Sequence, residues 1–556
     1  MLDDLPILSM IAFSPLLGVL ILLFLPARNG KWIRIAGVWA TVIPLLLATW
    51  LYVDFSTTTT GYQYAEQFSW IHLPLSLDNN LLSQGFTGLE LRFDYTMAVD
   101  GLSLPLVFLT ALIATMAALA SKFIKKRWKL YYILFLLLET GMFGVFMAQD
   151  LFLFFLFFEI TLVPMFFLIG IWGYIHRERA ANKFLLYNGL GSAVMLIAFL
   201  VIVATAGFVQ QDDMLYYTGH LGEIKNNLFG VGVESYVNAD DPNNPFYLKD
   251  ALEWTVRLWG DLSWTIDGKS TVFLLLLIAF GIKLPIFPFH TWMLKVHSEA
   301  PPSIVMIHSG ILLKMGAYGL IRFGVLMFPE EARNWAVALA VLGVINVLYG
   351  AVLALRQEDF KLVLAYSSIS HMGIVLLGIA AFNQAGIQGA IFQMISHGLI
   401  SALLFLMVGS IYERTETSNL RELGGLAKAM PFIGGILMIG GMASLGLPGL
   451  SGFPGELLAF LGLFDSMRAI AIVGAAGIIL AAVYVLRGVL GITYGPILEK
   501  YRGLRDARLI EAVPMIVLVA FILLLGVYPG ILTQTMQQTV ADFDSLIQII
   551  AAKIGG

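Results

Sequence analysis

The sequence contains no cysteine, which excludes thiolate-ligated iron–sulfur clusters, cysteine-type zinc sites, covalently attached c-type haem and disulfides together. Charge is scarce as well. Only 13% of the residues are Asp, Glu, Lys or Arg, the formal net charge is −4, and no block of Lys and Arg is long enough to follow a phosphate backbone. Nucleic acid is therefore not an expected partner. The short alternating strands of a membrane barrel are also missing. What fills the chain is apolar: 59% of its 556 residues are hydrophobic and the mean hydropathy is +0.84. Runs of roughly 20 apolar residues, the length that crosses a bilayer as a helix, recur along the sequence. With no water to satisfy the backbone in lipid, a helical bundle is the economical solution, so the expected fold class is an all-α membrane protein.

About fourteen apolar segments can be placed, near 5–26, 32–53, 101–121, 129–148, 151–172, 184–207, 271–289, 302–327, 335–355, 361–382, 387–411, 431–464, 469–495 and 509–534. The acidic start Met1-Leu2-Asp3-Asp4 is unlike the basic start of a signal peptide, so the first run reads as a span. Neighbours nearly touch at Gln149-Asp150 and Asn383-Gln384, as tight helix connections do. Basic residues crowd the odd-numbered loops: Arg28, Lys31 and Arg34; Lys122, Lys125, Lys126, Arg127 and Lys129; Arg177, Arg179 and Lys183; Lys500, Arg502, Arg505 and Arg508. The even-numbered loops are acidic or neutral, with Glu66, Asp78, Glu90 and Asp94 in 54–100 and Asp212, Asp213, Glu223, Glu234, Asp240 and Asp241 in 208–270. Cytoplasmic loops carry the excess of Lys and Arg, so both termini are expected outside. The two long loops read as solvated surface, with local helices in the second.

Span seven is interrupted by Pro285 and Pro288, and span twelve by Gly446, Pro448, Gly449, Gly452, Pro454 and Gly455. Each is the fourth of a group of five, spans four to eight and nine to thirteen. Five is odd, so the groups would be inverted repeats with broken helices at matching positions, where transporters place their ion sites. The expected division is 1–128 (three spans and an acidic exterior loop), 129–327 (first repeat, with the insertion 208–270), 328–500 (second repeat) and 501–556 (last span and tail).

Ionisable groups fall in the middle of these spans. Glu159 lies ~13 Å into its helix, Lys283 and Lys314 about 18 Å into theirs, and His371 and His397 about 15 Å, at 1.5 Å per residue. Glu456 follows the break of span twelve. A charged residue at a helix centre costs about 2.5 to 3.5 kcal/mol, so stability is a poor reason for keeping them. Buried ion pairs that hold helices in register are the structural alternative, yet apolar packing in their place is often as stable. Opposite charges along a plane can instead act as a relay. At an effective dielectric of ~20, moving a partner from about 4 Å to 8 Å changes the Coulomb energy from about 4 to 2 kcal/mol, roughly 1.5 pKa units. In this reading Glu159 tunes Lys283, the proton passes through Lys314, His371 and His397, and Glu456 releases it. Imidazole suits the middle, accepting on one nitrogen while donating from the other. Glu139 and Arg487 are weaker candidates for tuning. His290 and His297, with Glu299, would mark the uptake end, although surface exposure accounts for them nearly as well. His308 is six residues from Lys314, about 240° around an α-helix, and is expected to face elsewhere.

The runs Gly281-Ile282-Lys283-Leu284-Pro285-Ile286-Phe287-Pro288-Phe289-His290-Thr291-Trp292, Ser298-Glu299-Ala300-Pro301, Gly310 to Gly319 around Lys314, Ala365 to Gly373 around His371 and Gln393-Met394-Ile395-Ser396-His397-Gly398 resemble the antiporter-like subunits of proton-pumping NADH:quinone oxidoreductase, respiratory complex I. The resemblance covers roughly 95–500, and Phe158-Glu159-Ile160-Thr161-Leu162-Val163-Pro164-Met165 points to the subunit M, or chain 4, type. It implies fourteen helices in two inverted five-helix bundles and a pumping axis matching Glu159, Lys283, Lys314, His371, His397 and Glu456. Glu456 favours the M type, since L and N chains usually carry Lys there. It also implies that NADH, flavin and iron–sulfur clusters belong to partner subunits and quinone to another chain, in keeping with the absence of a Gly-rich dinucleotide loop. No cofactor or metal is expected in this chain. Partners would be the other membrane subunits, including L-like and N-like chains and small spans, together with lipid. The expected location is a bacterial plasma membrane in preference to an organellar one. One departure is Trp292-Met293-Leu294-Lys295-Val296-His297, which puts Lys295 where the family usually has Asp. The rivals are a subunit of a multi-chain Na⁺/H⁺ antiporter, against which Glu456 and His371 argue, and a b-type haem carrier with His371 and His397 as axial ligands.

Overall fold

The computed structural model describes residues 5–76, 86–211, 213–229, 253–258 and 262–555. Of the residues named above, Met1, Leu2, Asp3, Asp4, Asp78, Asp212, Glu234, Asp240 and Asp241 lie outside these. Among the described residues twelve helices are long and apolar enough to cross a membrane, running from Ile7–Phe24 to Leu509–Val527. Pro302–Val325 and Gln384–Thr415 are wholly enclosed along their apolar windows, whereas Arg468–Thr493 is largely exposed. The first two form the centre of the bundle, and the last lies at its periphery. Tight connections are capped as their residues suggest. Asp150 accepts from the Phe152 and Leu153 amides at 2.8 and 3.1 Å, and Asn383 accepts from Gly386 at 2.9 Å, satisfying amides that an N-terminus leaves unpaired.

The two remaining apolar runs are the interrupted ones. The run 271–289 holds Gly268–Lys283 and the turn that leads to a second helix, Thr291–Glu299, and 431–464 resolves into Pro431–Ser444 and Gly452–Ser466. Proline has no amide hydrogen to continue a helical ladder, so the first helix stops short of Pro285. Asn346, on Ala336–Arg356, fills the gap: its Oδ1 accepts from Phe287 N at 2.8 Å and its Nδ2 donates to the Pro285 carbonyl at 3.3 Å. In the second break Gly446 and Gly449 take φ of +74° and +89°, a region that disfavours side chains, and Ser451 N donates to the Ile522 carbonyl at 3.0 Å. Asn346→Ala strands the Phe287 amide and the Pro285 carbonyl and is expected to cost about 1 to 3 kcal/mol; a lowered thermal midpoint of the purified complex checks this.

Glycines set the closest helix contact around the second break. A Cβ at Gly389 would run into the Ala459 backbone, one at Gly462 into Gly386, and one at Gly455 would come within 2.7 Å of Gln393 Oε1. Gln384–Thr415 and Gly452–Ser466 thus pack backbone to backbone.

The long loops depart from expectation. Strands β1 (Gln63–Leu75), β2 (Gly88–Val99), β3 (Phe208–Gln211) and β4 (Met214–Thr218) form one sheet in the order β1-β2-β4-β3. β2 pairs antiparallel with β1 and parallel with β4, from Gly88↔Met214 to Arg92↔Thr218. The two loops are therefore one folded unit, stitched to the bundle by Glu66, which accepts from the Leu8 amide at 2.6 Å and the Ser9 amide at 3.1 Å. The expected local helix is present at Leu221–Phe229. The segment after the last span also folds: the helix beginning at Gly530 buries Leu532, Met536, Val540 and Phe543 along one stripe.

Candidate functional site

Both helix breaks put an ionisable side chain beside a helix end. Lys283 is the last residue of Gly268–Lys283, and Glu456 lies just past the first turn of Gly452–Ser466. A cation at a C-terminus and an anion at an N-terminus are each favoured by the aligned peptide dipoles. The Lys283 side chain is enclosed and its Nζ has no hydrogen-bond partner. It sits 4.7 Å from the centroid of the Phe158 ring and 5.8 Å from that of Phe184, so aromatic faces hold the ammonium. Half-buried Glu159 is within electrostatic reach, yet among the described residues the two form no ion pair within 4.0 Å.

From Lys314 onward the side chains touch. Lys314 Nζ donates to the Ser309 carbonyl at 2.5 Å and meets His397 Nδ1 at 2.7 Å. The rings of His397 and His371 have centroids 5.4 Å apart, and His371 Nδ1 stands 3.4 Å from Glu456 Oε1, so the contacts place His397 before His371, the reverse of the order expected from the sequence. All four residues are buried, and each comes from a different helix. Gly446 leaves room for the carboxylate, since a Cβ there would lie 2.5 Å from Glu456 Oε2. A small cavity lined by Ser367, Ser368, Ser401 and Ser444 borders both imidazoles, offering hydroxyls that can accept and donate in turn. The two rings pack on each other, with Lys314 at His397 Nδ1 and with Gln393 and Ser444 at the two nitrogens of His371.

Sequence reasoning missed the bridge between Lys283 and Lys314. His308, expected to face elsewhere, meets His297 at 2.8 Å and packs on the Trp292 ring, with both lysines in electrostatic reach. His308 meets a partner brought in by another helix, His297 of Thr291–Glu299, and a count of positions along its own helix does not show that contact. His297 and His290 are 1% and 2% exposed, which removes surface exposure as their explanation. His290 stacks on Phe287 and faces the Tyr349 hydroxyl at 3.2 Å, while Lys295 is exposed. Arg487 is not at the line of buried groups. It is exposed and donates to the Leu355 carbonyl at the end of Ala336–Arg356, where a cation complements the helix terminus. Glu139 is fully buried with neither oxygen hydrogen-bonded.

A second buried ionic feature also escaped notice. Arg322 and Asp100 form a two-pronged pair, both N–O distances 2.8 Å, and Arg322 further donates to Tyr318 and Tyr62. Asp100 simultaneously caps Ser103–Ala120 by accepting from the Leu102 and Ser103 amides.

A helical bundle with two interrupted helices and a file of touching ionisable groups between them is the architecture of an ion-carrying membrane protein. Comparison with known proteins gives the family. The model described as NADH:quinone oxidoreductase/Mrp antiporter, TM, matches residues 148–235 and 257–483. NAD(P)H-quinone oxidoreductase chain 4 1 of Synechococcus sp. (strain JA-2-3B'a(2-13)) is 39% identical over 99% of this chain and 95% of its own length. NADH-quinone oxidoreductase subunit M of Rhodobacter capsulatus is 36% identical over 99% and 98%. Among solved structures, respiratory complex I from Thermus thermophilus with bound NADH contains a chain that superimposes with a TM-score of 0.77 at 27% identity, covering 97% of this chain and 99% of that one. A chain of the Mrp complex from Dietzia sp. DQ12-45-1b shares the fold, with a TM-score of 0.75 at 20% identity over 96% of this chain and 97% of its own. The chain belongs to the NADH:quinone oxidoreductase/Mrp antiporter family, in its subunit M or chain 4 group.

Proposed function

We propose that this chain is a proton-translocating membrane subunit of an NADH:quinone oxidoreductase, carrying H⁺ along Glu159, Lys283, Lys314, His397, His371 and Glu456 while quinone is reduced in another subunit. One observation carries the reading: the contacts from Lys314 through His397 and His371 to Glu456 form an unbroken file of groups that can each hold or yield a proton, set in an apolar core. The His297–His308 pair extends the file toward Lys283. His290 and Lys295 stand at the uptake side, and Glu139 and Arg487 act on structure or tuning. In this arrangement spans four to eight and nine to thirteen are inverted repeats within fourteen spans.

The chain is one part of a translocating enzyme and contributes no redox site. NADH, flavin and iron–sulfur clusters are assigned to partner subunits, a division supported by the absence of cysteine. Its partners are the other membrane subunits, L-like and N-like chains among them, and lipid. The clustering of Lys and Arg in odd-numbered loops supports both termini outside, and the location proposed is a bacterial plasma membrane.

The test is Lys314→Ala in the assembled complex within vesicles, with quinone reduction and proton uptake measured together. The ammonium that meets His397 is then gone, and proton uptake per electron is expected to fall; an unchanged ratio in a fully assembled complex would remove Lys314 from the path.

A further inference from the structure

We infer that Gln393 is a positioning residue that decides which nitrogen of His371 carries hydrogen, and so times the handover of a proton to Glu456. This rests on the relay proposed above. His371 Nδ1 faces two groups with opposite demands. Gln393 Nε2 lies 3.2 Å away and, as a donor, needs a bare lone pair on Nδ1. Glu456 Oε1 lies 3.4 Å away and, as an acceptor, needs an N–H there. Neutral imidazole has one N–H. While Gln393 donates to Nδ1, that hydrogen resides on Nε2, which faces Ser444 Oγ at 3.4 Å.

Nδ1 is then the only nitrogen able to take an arriving proton. Once it does, the ring carries N–H on both sides and the Gln393 amide hydrogen no longer has a lone pair to meet. The same amide has a second face: its Oε1 is buried without a partner, beside the Gly455 backbone where any Cβ would stand 2.7 Å away. Turning the amide offers Oε1 to the new Nδ1–H. The transfer follows when the Nδ1–H bond breaks and an O–H bond forms on Glu456. The lone pair left on Nδ1 takes back the amide N–H, and the Nε2–H tautomer is restored. One proton enters the imidazole and one leaves with the carboxyl, and no electrons change hands. Gly455 thereby has a role beyond close packing, since it lets the amide reach both groups.

His371 is faced by Gln393 and His397 from Gln384–Thr415, by Glu456 from Gly452–Ser466 and by Ser444 from Pro431–Ser444, with Tyr484 bonded to nearby Ser367 and Lys314 behind His397. The test uses Gln393→Leu and Gln393→Glu in the assembled complex in vesicles, with Lys314→Ala alongside. Gln393→Leu keeps the packing volume and loses both hydrogen-bonding faces; proton uptake is expected to fall roughly tenfold and its pH profile to move. Gln393→Glu has a donor hydrogen only when its carboxyl is protonated, so uptake is expected to recover toward acid pH. If Gln393→Leu fails to assemble, the acid-side recovery in Gln393→Glu decides alone. Wild-type uptake with an unshifted profile in the Leu variant, or an unshifted profile in the Glu variant, would overturn the inference, provided Lys314→Ala has stopped uptake. Unchanged uptake in Lys314→Ala would instead overturn the relay on which it rests.

Discussion

Lys283→Ala in the assembled complex is expected to abolish proton uptake and to slow quinone reduction by roughly tenfold or more, the effect of about 1.4 kcal/mol on a limiting barrier. The side chain is enclosed and its ammonium lies over the Phe158 and Phe184 rings at the end of the first broken helix. The sharper comparison is Lys283→Arg. Arginine keeps the positive charge and can sit over Phe158 and Phe184, so a merely structural cation would be replaced. It cannot be deprotonated in a protein, so a proton carrier would not. Assembly with Lys283→Arg and failure to pump is the expected result, measured as proton uptake and quinone reduction in the same vesicles. Normal pumping by the Arg variant would make Lys283 an anchor and take it out of the path.

The largest effect on stability is expected at Asp100. Asp100→Ala leaves the Arg322 guanidinium buried without its two-pronged partner and removes the cap of Ser103–Ala120. Breaking one side of such a pair costs about 3 to 5 kcal/mol, and the lost cap adds about 1 kcal/mol. The subunit is expected to accumulate poorly and to melt early in detergent. Arg322→Met added to Asp100→Ala removes the stranded charge and is expected to recover much of the loss, because apolar replacement of both partners is often neutral. An equally unstable double variant would place the cost elsewhere, in the cap or in Tyr318 and Tyr62.

How much of this was legible beforehand differs by element. The mid-span charges Lys283, Lys314 and Glu456 stood out because nothing in lipid excuses them, and the two broken helices were visible as Pro and Gly inside apolar runs. The connections at Gln149-Asp150 and Asn383-Gln384 are readable because apolar runs nearly touch there; that Asp150 and Asn383 cap the helices comes from the structure. The alternation Leu89, Leu91, Phe93, Tyr95, Met97, Val99 in β2 was equally plain on the page, with Glu90, Arg92, Asp94 and Thr96 between. Acidic content points to a solvated loop, and the strand period of two outweighs it because alternate residues can bury while the charges between them stay wet. The pairing of His308 with His297 joins two different helices, so no count along one helix reveals it. Asp100 and Arg322 are 222 residues apart, and Asn346 meets its break from 61 residues away. Pairings at that separation have no local signature, only the general oddity of a polar group in an apolar run.

From Lys314 to Glu456 every contact in the file passes from one helix to another and none advances along a single helix. On the relay proposed above, a proton passes between helices at Lys314, His397 and His371, which the sequence sets about 15 to 18 Å into their helices, so that leg is mostly sideways. The membrane potential, worth about 2.3 kcal/mol per charge per 100 mV, does no work on sideways motion. On that relay the potential acts on the legs that bring protons to the file and take them away, and little on the crossing from helix to helix.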